Sequence, residues 1–189
     1  MIKLFAILIR NSIKAFNLIV MNIFKTQFLS CGKNVRFYPW DEFSYDTIKI
    51  GTNVKISNGA KFSASNSYLV IKDNVMFGPD VIIMAGDHNT SVIGEFMINV
   101  KFKNPHNDAP IIIEEDCWIG AGVIILKGVT IGRGSIIGAG SIVTRSIAPY
   151  SVAVGSPARV VKKRMSDEEI LNHEYLLYLK HERFVNNYL

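Results

Sequence analysis

Cysteine is scarce: Cys31 and Cys117 are the two in 189 residues. That excludes a disulfide framework and makes the cytosol, where thiols stay reduced, the default compartment. No His, Cys, Asp or Glu spacing fits a metal site, so none is expected. The order Gly-x-Gly-x-x-Gly of dinucleotide-binding turns is missing, as is the Gly-x-Ser-x-Gly elbow of serine hydrolases. Long apolar runs are short of what a membrane span needs. Within residues 1–29 the longest stretch without charge runs from Ala15 to Phe24 and contains Asn17 and Asn22. A spanning helix takes about 20 apolar residues, which argues against one here. No small-residue cleavage site marks a signal peptide. The charge is formally +5, with a pI near 9.2, but it is dispersed and no nucleic-acid motif accompanies it. No nucleic-acid partner is expected.

What the chain has is a period of six. From Ile113 to Ile142 it reads Ile113-Glu-Glu-Asp-Cys-Trp, Ile119-Gly-Ala-Gly-Val-Ile, Ile125-Leu-Lys-Gly-Val-Thr, Ile131-Gly-Arg-Gly-Ser-Ile and Ile137-Gly-Ala-Gly-Ser-Ile, and Val143 opens the next block. A helix would repeat its apolar positions every 3.6 residues and a flat strand every 2. A strict six fits short strands joined by turns, each sending one large side chain into a shared interior. Glycines then fall where the backbone turns with positive φ or passes a neighbouring coil closely. The fifth position (Cys117, Val123, Val129, Ser135, Ser141) is small to medium and also inward. Cys117 is therefore expected to be a small reduced core residue. The expected fold class is an all-β solenoid with helices at both ends.

The segment Asp116–Lys162 resembles the hexapeptide-repeat acyltransferase superfamily, in the branch acetylating sugars and polysaccharides and its relatives acting on xenobiotics. The residues that carry the likeness are Trp-Ile-Gly-Ala at 118–121, Gly-Val-Thr-Ile-Gly at 128–132, Gly-Ala-Gly-Ser-Ile-Val-Thr at 138–144 and Gly-Ser-Pro-Ala-Arg at 155–159. The match spans roughly 48–165. It implies a left-handed parallel β-helix of triangular section, three hexapeptides per coil, assembled as a homotrimer with acetyl-CoA as cosubstrate. An anionic coenzyme and a basic N-terminus account for the positive charge.

Three regions follow: a helical amphipathic segment 1–29, the solenoid 30–165 and a terminal helix 166–189. In the first, Lys3, Arg10, Lys14, Asn17 and Lys25 lie near one helical stripe. Leu4, Ile7, Leu8, Phe16, Ile19, Val20, Ile23 and Phe24 cover much of the rest. Two readings stand side by side: a helix docked on the solenoid end or another subunit, and a basic amphipathic helix in the membrane interface. The second would place a cytoplasmic enzyme at the inner face of the membrane. The solenoid's inward positions before Ile113 are Cys31, Phe37, Ile50, Ile56, Phe62, Ile71, Phe77 and Ile83, with Pro39–Thr47 and Ser63–Tyr68 as interruptions. From 85 to 110 the period disappears, and a loop of that length in a domain this size points to function. Ser166-Asp-Glu-Glu169 is a capping box opening the terminal helix. That helix is expected to pack as an end-cap through Ile170, Leu171, Tyr175, Leu177, Tyr178, Phe184 and Val185.

His88, in Ala85-Gly86-Asp87-His88-Asn89, is the expected catalytic base. Acyl transfer to a hydroxyl needs a group that takes the hydroxyl proton during attack on the thioester, and imidazole suits that at neutral pH. The resembling family carries its catalytic His at this place. Asp87 either orients that imidazole or caps the turn. His106 is expected at the surface. The likeness to galactoside and maltose acetyltransferases points to Asn58 at the acceptor, although an Asn there equally suits a left-handed turn. Asn66 and Tyr68 face the same cleft in this reading. The resemblance assigns the pantetheine arm to Gly120, Ala121, Gly138 and Ala139. It gives Trp118 the thioester end, against the alternative of a corner aromatic packing on the loop. The 3′-phospho-ADP end falls to Thr144, Arg145, Arg159, Lys162 and Lys163.

The expected activity is CoA-dependent O-acetylation of a sugar hydroxyl in surface-polysaccharide synthesis. The alternatives are an antibiotic O-acetyltransferase, a sugar N-acetyltransferase and a non-catalytic solenoid scaffold.

Overall fold

A computed structural model describes residues 1–184; Val185, expected on the terminal helix, lies outside them. Strands of two to five residues coil through three sheets in turn. The first face stacks Ser30–Cys31, Ile48–Ile50, Leu69–Ile71, Ile111–Ile113 and Thr130–Ile131. The second stacks Lys55–Ile56, Met76–Phe77, Trp118–Ile119, Ile136–Ile137 and Ser151–Val154. The third stacks Glu42–Phe43, Lys61–Ser63, Ile82–Met84, Ile124–Leu126 and Ile142–Val143. Every pairing among these is parallel. Among the described strands Arg159–Lys163, which folds back on Ser151–Val154, alone runs antiparallel.

The register explains the period. Ile50, Ile71, Ile113 and Ile131 stack in one column, Ile56, Phe77, Ile119 and Ile137 in a second, and Phe62, Ile83, Ile125 and Val143 in a third. All are buried, and the fifth-position residues, Cys117 among them, are buried between the columns. Each buried Ile or Phe contributes roughly 1.5–3 kcal/mol by leaving water. The fourth position turns with positive φ. Asn34, Asn53, Asn74 and Asp116 hold it at the first corner, where the side-chain amide of Asn34 donates to Asn53 (2.7 Å) and that of Asn53 to Asn74 (2.8 Å). In the next coil the same place is Gly134, the residue with least resistance to that φ.

One expectation about the coils needs correction. Pro39–Thr47 is not a full interruption, because Phe43 pairs in register with Phe62 and packs against the core. The step from Phe43 to Ile50 is one residue longer than six, which hid it. The departures from six among the inward positions before the last coil also share one place. Phe43–Ile50, Phe62–Ile71 and Ile83–Ile113 all span the corner from the third face to the first. Insertions there leave both neighbouring strands in register, so the solenoid tolerates them, and they pile up into one protruding edge.

The N-terminal helix runs unbroken from Ile2 to Phe24. Its last turns dock on the solenoid end: Met21 is buried, and Trp40 Nε1 donates to Asn17 Oδ1 at 3.0 Å. Phe24 lies edge-on to Trp40 and Tyr45. The rest stands clear of the body. The run-length argument against a span does not hold, since Ile2–Gln27 has a mean hydropathy of 1.6 over its best window. It is long and apolar enough to cross a membrane by length and composition, because a window average absorbs Arg10 and Lys14.

At the other end the capping box forms as expected, Ser166 N donating to Glu169 Oε2 (2.8 Å) and Glu169 N to Ser166 Oγ (3.3 Å). The helix, Asp167–Leu177, is shorter than expected, and Tyr178 is already extended. Its inward residues are Ile170 and Glu174; Leu171, Tyr175 and Leu177 are exposed. The packing face keeps Ile170, Tyr178 and Phe184 of the expected apolar residues and adds a buried carboxylate to them. Glu174, fully buried, accepts from the Tyr150 hydroxyl, from Arg133 Nη1 (3.2 Å) and from Phe184 N (2.9 Å).

Candidate active site

The loop 85–110 leaves the solenoid through a short antiparallel ladder. Gly86 bridges Asp108, Asp87 N donates to Asn107 O (2.9 Å), and Ala109 N donates to Ala85 O (3.0 Å). His88 is the first residue beyond that stem, so a paired backbone sets its position while its side chain is exposed. It lines two clefts at once. One, of about 790 Å³, has Met97, Ile98, Asn104, His106 and Lys127 on its walls. The other, of about 240 Å³, is lined by Ser63, Ser65, Asn66, Met84, Lys103 and Asp108. An imidazole between two clefts can accept a proton from a group in one while an acyl donor occupies the other.

Asp87 does neither of the things expected of it. Its carboxylate meets Lys127 Nζ at 2.6 Å and accepts from Asn107 Nδ2 at 2.9 Å. Those two contacts, Lys127 first, hold its carboxyl below the ordinary carboxylate range. Lys127 also donates to His106 O (2.7 Å) and Asn107 O (3.1 Å). Asn107, itself buried, reaches His88 O at 3.2 Å and accepts from Asn104 N at 2.7 Å. Buried Asn89 gathers Ser91 and Asn104 on its carbonyl. Lys127, Asn107 and Asn89 were not singled out in the sequence. Lys127 carried a signal: third in its block, it falls at the corner from which the loop departs. The two asparagines carried none.

The other candidates separate by corner. Asn66 lines the smaller cleft beside His88, and Tyr68 is exposed at the end of the same insertion. Asn58 is at a different corner, between the second and third faces, one residue before Gly59. The left-handed turn there belongs to Gly59 (φ +84), so the turn explanation for Asn58 fails. Gly120, Ala121, Gly138 and Ala139 occupy that same corner in later coils. A side chain on Gly120 would place its Cβ 2.6 Å from Ala139 N, so the coil stacking itself demands glycine. Thr144 and Arg145 return to the His88 corner, with Arg145 one coil beyond Lys127. Arg159, Lys162 and Lys163 are exposed on the final antiparallel strand, where Lys163 pairs with Asp167. Trp118 is not a corner aromatic on the loop. It stands half-exposed on the outer second face, in register with Met76 and Ile136.

Between the two corners runs the third face. Its outward column runs from the Glu42–Lys61 ion pair (3.3 Å) to Ile82, Ile124 and Ile142, so its later coils are apolar, and Met84 beside it is exposed. Cys117 is enclosed in the core, and Cys31 is half-buried at the solenoid's first coil. Burial pushes the Cys117 thiol up to about 12 and raises that of Cys31. Among the described residues no group of three or more His, Cys, Asp or Glu could hold a metal ion.

Residues 110–145 match the family described as bacterial transferase hexapeptide (six repeats). The galactoside O-acetyltransferase of Lactococcus lactis subsp. lactis is 30% identical over 82% of this chain and 72% of its own length. A probable macrolide acetyltransferase of Lysinibacillus sphaericus is 37% identical over 74% and 71%. Among solved structures, a hexapeptide-repeat acetyltransferase from Vibrio cholerae O1 biovar eltor complexed with acetyl coenzyme A superposes with a TM-score of 0.68. It is 26% identical and covers 77% of this chain and 76% of that one. With the period, the three stacked faces and the edge loop, these likenesses show that the chain belongs to the hexapeptide-repeat acetyltransferases. Its fold class is their left-handed parallel β-helix.

Proposed function

We propose that this enzyme O-acetylates a sugar hydroxyl, with His88 as general base, in the synthesis of a surface polysaccharide. The observation that carries the reading is the placement of His88 on a paired stem between two clefts, held by Asn107. The acceptor oxygen attacks the thioester carbonyl as His88 takes its proton. The tetrahedral intermediate then collapses, the C–S bond breaks, and the coenzyme leaves as a thiol on receiving a proton. Transfer is direct, because the thioester is already activated and the two thiols are held protonated by burial. The polar lining of the smaller cleft, with Ser63, Ser65, Asn66 and the Lys103–Asp108 pair (2.8 Å), suits a hydroxyl-rich acceptor.

The proposed assembly is a homotrimer in the cytosol. The apolar column on the third face supports it, and packing that face on a neighbour would enclose the strip between the two corners. Thr144, Arg145, Arg159, Lys162 and Lys163 would then meet the phosphates of the coenzyme. A second reading, acetylation of an antibiotic hydroxyl, is favoured by Met97 and Ile98 on the wall of the larger cleft and by the macrolide relative.

The test is thiol release from acetyl-CoA by wild type and His88→Ala, with sugars, nucleotide-sugars, amino-sugars and macrolides as acceptors. Turnover with a sugar hydroxyl, lowered about 10²- to 10⁴-fold in His88→Ala while acetyl-CoA still binds, is the expected result. Turnover with macrolides alone would replace the sugar, and turnover with amines alone would make the enzyme an N-acetyltransferase. Unchanged turnover in His88→Ala would move the base to His106. No acetyl-CoA binding would leave a scaffold.

A further inference from the structure

The N-terminal helix has a fixed roll, and that roll has a direction. Lys3, Arg10, Lys14, Asn17 and Met21 follow one another by seven, four, three and four residues, one stripe at 100° per residue. Met21 is the buried contact to the solenoid, and Asn17 accepts from Trp40. Docking at these two residues therefore turns the cationic stripe toward the side of the body. It leaves Phe5, Ile9, Ile19 and Ile23 on the opposite side open to solvent, while Phe16 on that same side stacks on Trp40 near the docked end. The four open side chains are 46–65% exposed. Across residues 1–40 there is no Asp or Glu, while Lys3, Arg10, Lys14, Lys25, Lys33 and Arg36 supply positive charge.

We infer that this helix lies in the plane of an anionic bilayer surface. Its apolar side enters the acyl boundary, and its cationic stripe, with the solenoid behind it, faces the headgroups and water. Charge and roll agree on this occupant. A second copy of the helix would meet like charge along the whole stripe, whereas anionic lipid complements it. Composition alone would also allow a span, and at 23 residues the helix is about 34 Å long, enough for a hydrocarbon core of about 30 Å. A span would put Arg10 and Lys14 near mid-bilayer, each costing on the order of a hundredfold in the insertion equilibrium. The interfacial posture keeps both in water. The inference stands apart from acetyl transfer, which is read independently by thiol release.

The experiment is flotation of the full-length protein with phosphatidylcholine vesicles, with and without about 30 mol% phosphatidylglycerol. Wild type is expected to float with the anionic vesicles, to detach at high salt and to be extracted by alkaline carbonate. Phe5→Glu/Ile9→Glu should bind at least tenfold less. Lys3→Gln/Arg10→Gln/Lys14→Gln should bind about a hundredfold less, about fivefold per cation. Both variants should keep the circular dichroism and thermal transition of wild type, since none of these residues touches the solenoid. Wild type that stays unbound would overturn the inference. So would resistance to carbonate, which marks a span, or a change of oligomeric state in Phe5→Glu/Ile9→Glu, which marks a partner subunit as the occupant.

Discussion

Lys127→Ala should damage catalysis far more than stability. The Lys127 and Asp87 side chains are 27% and 52% exposed, so the pair is solvated and screened. Such a pair is worth roughly 0.2–1 kcal/mol, or a fall in Tm of at most about 4 °C in a domain of this size. The same ammonium also holds the carbonyls of His106 and Asn107, and Asn107 holds His88 O. Its loss removes one side-chain clamp across the stem just before His88 and leaves the backbone pairing to hold it. A displacement of about 1 Å at a reacting group can cost about a hundredfold. We expect kcat/KM for thiol release to fall about 10- to 100-fold, with acetyl-CoA affinity little changed. The apparent pKa of the pH–rate profile should stay in place, because Lys127 positions the stem without touching the imidazole. Asp87→Ala/Lys127→Ala should lose less than the sum of the two single substitutions, since the residues share one ion pair while each also holds groups of its own. The sign for pH follows from Asp87. Its folded-state pKa is depressed, so the clamp is complete above the ordinary carboxylate value and is lost only as pH falls through the lower, folded one. Activity lost between pH 7 and 5 therefore does not come from this pair. A Lys127→Ala enzyme within twofold of wild type would refute the positioning role. A Tm lower by 10 °C or more would show that the residue is structural.

Two further outcomes concern the solenoid's closed end. Glu174→Ala removes the buried acceptor of the Tyr150 hydroxyl, Arg133 Nη1 and Phe184 N, while Arg133 keeps Glu115 and Glu182 O. It should cost about 1–3 kcal/mol in urea unfolding, with Glu174→Gln recovering part; a loss under about 0.5 kcal/mol would mean the terminal helix is not held by this carboxylate. Burial pushes the Cys117 thiol and the Tyr178 phenol each up to about 12, and raises Tyr150. Raised values stabilise fully below the unfolded pKa and lose that contribution as pH rises toward the folded one. Thermal scans should therefore show Tm flat from about pH 6 to 8 and falling above about pH 9, with Cys117→Ala moving the onset toward about pH 10.

How far the chain could be read without coordinates follows from where a residue's role is decided. Position one of each hexapeptide is decided by its own coil, so Ile113, Ile119, Ile125, Ile131 and Ile137 were legible as a core one by one, and so was Cys117 at position five. Phe43 was not, because one extra residue before Ile50 broke the count, and only its pairing with Phe62 restores it. His88 could be placed as the first His after the period fails, but its surroundings could not. Lys127 acts on Asp87 across a coil boundary, and Asn107 folds back across the length of the loop. The same distinction separates the two helices. The stripe Lys3, Arg10, Lys14 was visible from spacing alone, yet its direction came only with Met21 and Asn17 against the solenoid. The terminal helix was expected to pack by an apolar stripe; of that stripe Ile170 is buried, and beside it a carboxylate, Glu174, reaches partners 24 and 41 residues away in the sequence. A six-residue period reports on neighbours along the coil. The contacts around His88 are made across coils, at the corner where the period lengthens without disturbing the strands.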